Sequence, residues 1–173
     1  MSSIVSGPYL AVCAVLAIAG VRKLHRPAAT QTALAAIRLP HSPGIARSTG
    51  FVELALALVG AVLGAWFALG VAAAYLVLAL AAWRLLRRSP GTPCGCLGTT
   101  DAPASGAHVL VNIAAALIAA AAAAGSSPWS HLPDQPVQAI AFLVLVGCLT
   151  QLIMLTIDAH PALRVAMQGG RSR

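Results

Sequence analysis

The sequence predicts an all-α fold, a polytopic bundle of membrane-spanning helices, and three observations carry that prediction. Of the 173 residues, 59% are hydrophobic and only 9% charged, with a mean hydropathy of +0.85. A soluble domain carries about 25% charged residues, so lipid must be the solvent for most of this chain. Apolar runs also recur at lengths suited to a hydrocarbon core roughly 30 Å thick. Finally, all eleven Lys and Arg side chains fall within one set of alternating segments, as the positive-inside rule requires of a membrane protein.

The first run, Ile4 to Val21, ends in Arg22-Lys23. A secretory signal carries its positive charge before the apolar stretch. Here the charge follows it, so the run reads as a retained span over about residues 4–24. Ala28 to Leu39 is too short to cross and contains Arg38, which makes it an interfacial helix or loop. Phe51 to Leu86 would reach about 54 Å as one helix. It must fold back as two spans, over about 50–68 and 70–87, with the turn expected near Ala68-Leu69-Gly70. Two further spans follow at about 108–125 and 136–158, giving one membrane domain over 1–173 with a cysteine-containing loop at 88–107.

With five spans, the loops after the first and third and the C-terminal tail share one side. They hold Arg22, Lys23, Arg26, Arg38, Arg47, Arg84, Arg87, Arg88, Arg164, Arg171 and Arg173, and the other side holds no basic residue. The N-terminus is therefore expected outside, and the C-terminus and cysteine loop in the cytoplasm. One lysine among ten arginines, with abundant alanine, points to a GC-rich bacterial coding bias and hence a bacterial inner membrane. The formal charge of +7 is accounted for by these loops. With aromatics at 5% and no basic stripe between them, nucleic-acid binding is excluded.

Four cysteines are too few for a secreted disulfide scaffold. Cys13 and Cys148 lie in apolar segments, where free cysteine packs as a small hydrophobe, although a mid-membrane disulfide between them is geometrically conceivable. Cys94 and Cys96 flank a single glycine in Thr92-Pro93-Cys94-Gly95-Cys96-Leu97-Gly98. A Cys-X-Cys pair can close a small, strained ring, which favours exchange over permanent stapling. Arg87 and Arg88 stand close enough in sequence to favour the attacking thiolate. A second reading makes Cys94, Cys96 and His108 ligands for copper or zinc. A third leaves both cysteines reduced and without a chemical role, in a non-catalytic assembly partner.

Glu53 is the one acidic residue inside an expected span, at the level of Lys23, and an ion pair between them costs less than either charge alone in lipid. His108 and Asn112 share a helix face one turn apart. Asn112 suits interhelical hydrogen bonding. Asp158 and His160 reach the same side at the end of the last span. Lys23, Glu53, His108 and Asn112 are thus expected to form a polar pocket beside the catalytic pair, with His108 assisting proton transfer. Gly60 and Gly64 form a small-xxx-small pair suited to close helix approach or a homo-oligomer.

Gly20-Val21-Arg22-Lys23-Leu24-His25-Arg26-Pro27, Glu53, Cys94-Gly95-Cys96-Leu97-Gly98 and Asn112 together resemble the MauE family of methylamine-utilisation membrane proteins, related to the DoxX-like redox membrane proteins. The resemblance runs from residue 4 to about 125 and implies a four-helix core with a fifth C-terminal span added. Leu97 stands where the family usually has phenylalanine, and Val111 precedes Asn112 where a basic residue is expected. The resemblance implies disulfide formation or electron transfer in support of a maturing partner, such as an amine dehydrogenase subunit, beside a thioredoxin-like protein. An enzyme of this kind would be a thiol-disulfide oxidoreductase. A quinone is a candidate electron carrier, but no motif identifies one. Maturation of a periplasmic enzyme calls for disulfide chemistry outside, whereas the charge count places the pair inside. Either reducing equivalents pass through the bundle, or the family role does not transfer intact.

Overall fold

The structure is a computed structural model that describes residues 2–64, 66–95, 103–124 and 136–169, with side chains over 5–64, 66–95, 103–124 and 138–155. Six helices follow one another: α1 (Ser2–His25), α2 (Ala28–Ala36), α3 (Pro43–Leu63), α4 (Trp66–Arg88), α5 (Gly106–Ala123) and α6 (Pro136–Gly169). All but α2 contain a stretch long and apolar enough to cross a membrane. Among the described residues there is no strand, and only an isolated bridge pairs Pro93 with Pro103.

Local chemistry explains the boundaries. Arg38 adopts φ 60° after α2, and the amide of Leu39 reaches back 2.9 Å to the carbonyl of Leu34. That left-handed exit ends the short helix and satisfies one of its last carbonyls. Ser42 caps α3 by accepting a hydrogen bond of 3.3 Å from the amide of Ile45, and Pro43 opens the first turn, where its missing N–H costs nothing.

The turn within the long apolar run lies at Gly64, not near Ala68-Leu69-Gly70 as the sequence suggests. Gly64 has φ 59° and ψ −145°, a conformation that only glycine adopts readily, and its amide closes onto the carbonyl of Gly60 at 2.9 Å. Hydropathy does not dip at this point, because the residues around Gly64 are themselves apolar. The backbone conformation ends the helix, with no polar loop required.

Helix α1 occupies the centre. Its Tyr9, Val12, Cys13 and Leu16 pack with Ala57 of α3, with Ala68, Val71, Ala72 and Tyr75 of α4, and with small residues of α5. Alanine dominates the partner faces, which lets helices approach closely where lipid supplies no hydrophobic drive for association. Helix α6 attaches at the rim, through Met154 against Val15 and Ala19. Large side chains on its other faces, among them Ile140, Val144 and Leu152, remain exposed as lipid contact would require. Cys13 and Cys148 are both free thiols, the first buried and the second exposed, so no disulfide joins them.

Candidate functional site

The site begins with two glycines. A Cβ on Gly20 of α1 would lie 2.6 Å from the carbonyl oxygen of Gly50 on α3, and a Cβ on Gly50 would lie 2.7 Å from that of Gly20. The two backbones therefore touch, and no larger residue fits at either position. The same missing Cβ on Gly50 opens the space taken by the stem of Lys23, whose Cβ would stand 2.9 Å away.

One turn beyond this crossing, Lys23 donates to both carboxylate oxygens of Glu53, with Nζ to Oε2 at 2.6 Å. Both are buried, Lys23 at 2% exposure and Glu53 at 7%. Two charges taken from water together in a two-point contact neutralise each other where either alone would be prohibitive. The ion pair expected from the sequence is therefore present in the α1–α3 seam.

The cysteine loop is tied to the same end of the bundle. The amide of Ala104 donates to the carbonyl of Thr92 at 2.9 Å beside the Pro93–Pro103 bridge, which draws the base of the loop together. Cys94 is 5% exposed and packs among Ala33 of α2, Ile37 at that helix's C-cap, Ala82 and Leu85 of α4, and Ala104. Gly95 lies against α2 so closely that a Cβ would meet the carbonyl oxygen of Ala29 at 2.8 Å, and its φ of +63° excludes most side chains independently. Thr30 fixes this approach by donating from Oγ1 to the Gly95 carbonyl at 3.2 Å. Thus α2, read in sequence only as a segment too short to span, is the shelf on which the cysteine loop rests. Cys94 is disulfide-bonded. Cys96, Leu97 and Gly98 lie outside the described residues.

At the start of α5 the Ser105 hydroxyl and His108 Nδ1 are 2.8 Å apart, and Asn112 donates through Nδ2 to the His108 carbonyl at 2.8 Å. All three are buried. His108 and Asn112 line a cavity of about 380 Å³ walled by α1, α4, α5 and α6, in which every other lining residue except Tyr75 is apolar. The Tyr75 hydroxyl is committed to the carbonyl of Val12 at 2.8 Å. Lys23 and Glu53 do not line this cavity. The polar residues expected in one pocket are thus placed in two settings: an ion pair in the α1–α3 seam, and a His–Asn pair at an apolar chamber.

Other sequence-stated residues have their own places. Arg87 lies over the ring of Trp83 at 4.4 Å, a cation–π contact, and Arg88 borders an open surface pocket with Arg38 and Ser89. Gly60 packs inward, where a Cβ would meet Val71 at 2.7 Å and the Tyr9 hydroxyl at 2.8 Å, so it serves this bundle's own core. The side chains of Asp158 and His160 lie outside the described ones. Among the described residues no three His, Cys, Asp or Glu side chains gather as a metal site. Gly50, Thr30 and Ser105 carry no local sequence signal of their roles, and Gly20 stands out only within the family motif. The Gly20-Val21-Arg22-Lys23 and Gly50-Phe51-Val52-Glu53 segments do share one signal, a glycine three residues before the charge.

Comparison with curated proteins gives no match, and comparison with solved structures gives none either. A family described as methylamine utilisation protein MauE matches residues 1–125, from α1 through the end of α5. That stretch holds the Lys23–Glu53 pair, the cysteine loop and the His108–Asn112 pair, and it leaves α6 outside. On this match over most of its length, and with the helices that the match encloses forming the core, the chain belongs to the MauE family.

Proposed function

We propose that this chain is an integral membrane thiol-disulfide exchange protein in which Cys94 and Cys96 alternate between dithiol and disulfide with a thioredoxin-like partner. The exchange serves the maturation of a redox enzyme, and the family's description makes an amine dehydrogenase the first candidate. The observation that carries this reading is the docking of the Cys94–Gly95 segment on α2, through Thr30 and the close approach of Gly95. That docking places the cysteine-bearing segment at a fixed site on the bundle, as a thiol that must meet a partner requires.

The exchange balances. A thiolate of the partner attacks one sulfur of the Cys94–Cys96 disulfide and displaces the other as thiolate. The partner's second thiolate then breaks the mixed disulfide, leaving the partner oxidised and the loop as a dithiol. The fixed backbone at Gly95 holds the Cys94 end of the pair against α2 through this cycle. The Lys23–Glu53 pair locks α1 to α3 and so supports the floor beneath α2.

The loop lies on the side that carries the basic residues, which is the cytoplasmic side by the positive-inside rule. The partner is accordingly one that reaches the cytoplasmic face.

Trapping tests the exchange. With Cys94→Ser or Cys96→Ser, the remaining thiol cannot resolve a mixed disulfide. One of the two variants should accumulate a thiol-sensitive adduct with a thioredoxin-fold protein on non-reducing gels. Absence of any adduct from both, with the variants present at wild-type levels in the membrane, would refute exchange with such a partner.

A further inference from the structure

We propose that the cavity between α1, α4, α5 and α6 is the seat of a lipid-soluble quinone, which takes the electrons of the Cys94–Cys96 dithiol. This inference rests on the exchange reading above and supplies its missing acceptor. Three features of the cavity argue for that occupant.

The first is shape. The volume of about 380 Å³ lies in the range of small-molecule sites. Its α1 wall runs from Pro8 to Ala19, about 16 Å at 1.5 Å per residue, so the chamber is elongated along the helices. A ring at one end with an isoprenoid tail along the axis fits that form.

The second is polarity. The polar groups are confined to the end where His108 and Asn112 stand, since the Tyr75 hydroxyl is bonded to Val12. Asn112 gives one amide hydrogen to the His108 carbonyl, and its –NH₂ carries a second. A quinone carbonyl needs such a donor, and gains a stronger one as charge develops on its oxygen during reduction. An acyl chain has no use for it.

The third is position. Leu78 of α4 lines the cavity and also packs against the cluster that contains Cys94. Leu78 thus joins the wall of the chamber to the cluster that holds Cys94, and Ala104 and Ser105 lead from the cysteine loop into the turn bearing His108.

The reaction balances without another reagent. The dithiol loses two electrons and two protons as the S–S bond forms. The quinone takes both, each carbonyl oxygen gaining one hydrogen, and leaves as hydroquinone. Asn112 is positioned to hold one of the two oxygens through its second amide hydrogen. Coupled to exchange, a partner dithiol and a quinone become a partner disulfide and a hydroquinone.

The test uses purified full-length protein in detergent, reduced and freed of reductant under anaerobic conditions, with decylubiquinone as the probe. Quinone absorbance is followed while alkylation reports the thiols, and diamide serves as a site-independent oxidant. We expect one quinone reduced per pair of thiols lost. Val111→Phe, which fills the chamber from α5, should raise the quinone KM about tenfold or more with diamide oxidation unchanged. Should that variant fail to fold, an azidoquinone photolabel on the unaltered protein reads the same site, and its adduct should map to α1 or α5 and resist competition by excess phospholipid. If diamide oxidises the pair but decylubiquinone does not, the quinone proposal is wrong and the exchange reading stands. If the Phe variant folds and matches wild type, or if phospholipid displaces the label, the cavity is a lipid cleft and the proposal is again wrong. If neither oxidant alters the thiols, both readings fall together.

Discussion

Lys23 and Glu53 lie buried against each other with both carboxylate oxygens engaged. Removing one partner leaves the other charge stranded, which costs about 3–5 kcal/mol in buried pairs. Glu53→Leu should therefore destabilise the bundle by that order in thermal unfolding in detergent. Adding Lys23→Met should recover most of the loss, because two apolar residues restore a neutral seam. A double variant no more stable than Glu53→Leu alone would show that the pair does not act as a unit. This contact was legible in the sequence, because a carboxylate inside an apolar helix needs a partner and Lys23 stands at its level. The Ser105–His108 contact was not, since a serine before a helix reads as a cap. Here its hydroxyl turns to the imidazole ring and makes no cap bond.

Among the elements, the α1–α3 seam depends on Gly20 and Gly50, each within 2.7 Å of the opposite carbonyl oxygen if given a Cβ. Gly50→Ala forces the helices apart, and overpacking of this kind costs about 1–3 kcal/mol. Gly147 in α6 meets nothing within 4 Å, so Gly147→Ala should be neutral or stabilising, by up to about 1 kcal/mol. Equal effects of the two substitutions in thermal unfolding would contradict a glycine-made crossing. The sequence drew attention to Gly60 and Gly64 because they lie on one helix at the familiar spacing. Gly64 instead ends its helix, and the decisive pair is split between two helices, where no spacing rule finds it. The same limit hid the role of α2. Its length ruled out a span, but nothing local to Ala28–Ala36 says that a loop some sixty residues later will rest on Thr30.

At the scale of the whole molecule, five helices are long and apolar enough to cross a membrane, as composition implied, and the one-sided basic residues predict a cytoplasmic cysteine loop. On a background with Cys13, Cys94, Cys96 and Cys148 replaced, Pro90→Cys beside the loop should react with an impermeant maleimide only after the membrane is opened. Trp66→Cys, at the opposite end of α4, should react in intact cells. The reverse pattern would place the cysteine loop outside. The helical architecture was readable because hydropathy and span length are properties of single segments. The docking of the loop and the chamber between four helices depend on pairings of distant segments, and those appear only in three dimensions. The most direct measurement of the central claim is the redox state of Cys94 and Cys96 in native membranes, read as an alkylation gel shift across a series of dithiothreitol ratios. A reversible two-electron transition, abolished by Cys94→Ser and loosened toward easier alkylation by Gly95→Ala, is the predicted result. A pair that keeps one state across the whole series would contradict thiol-disulfide exchange.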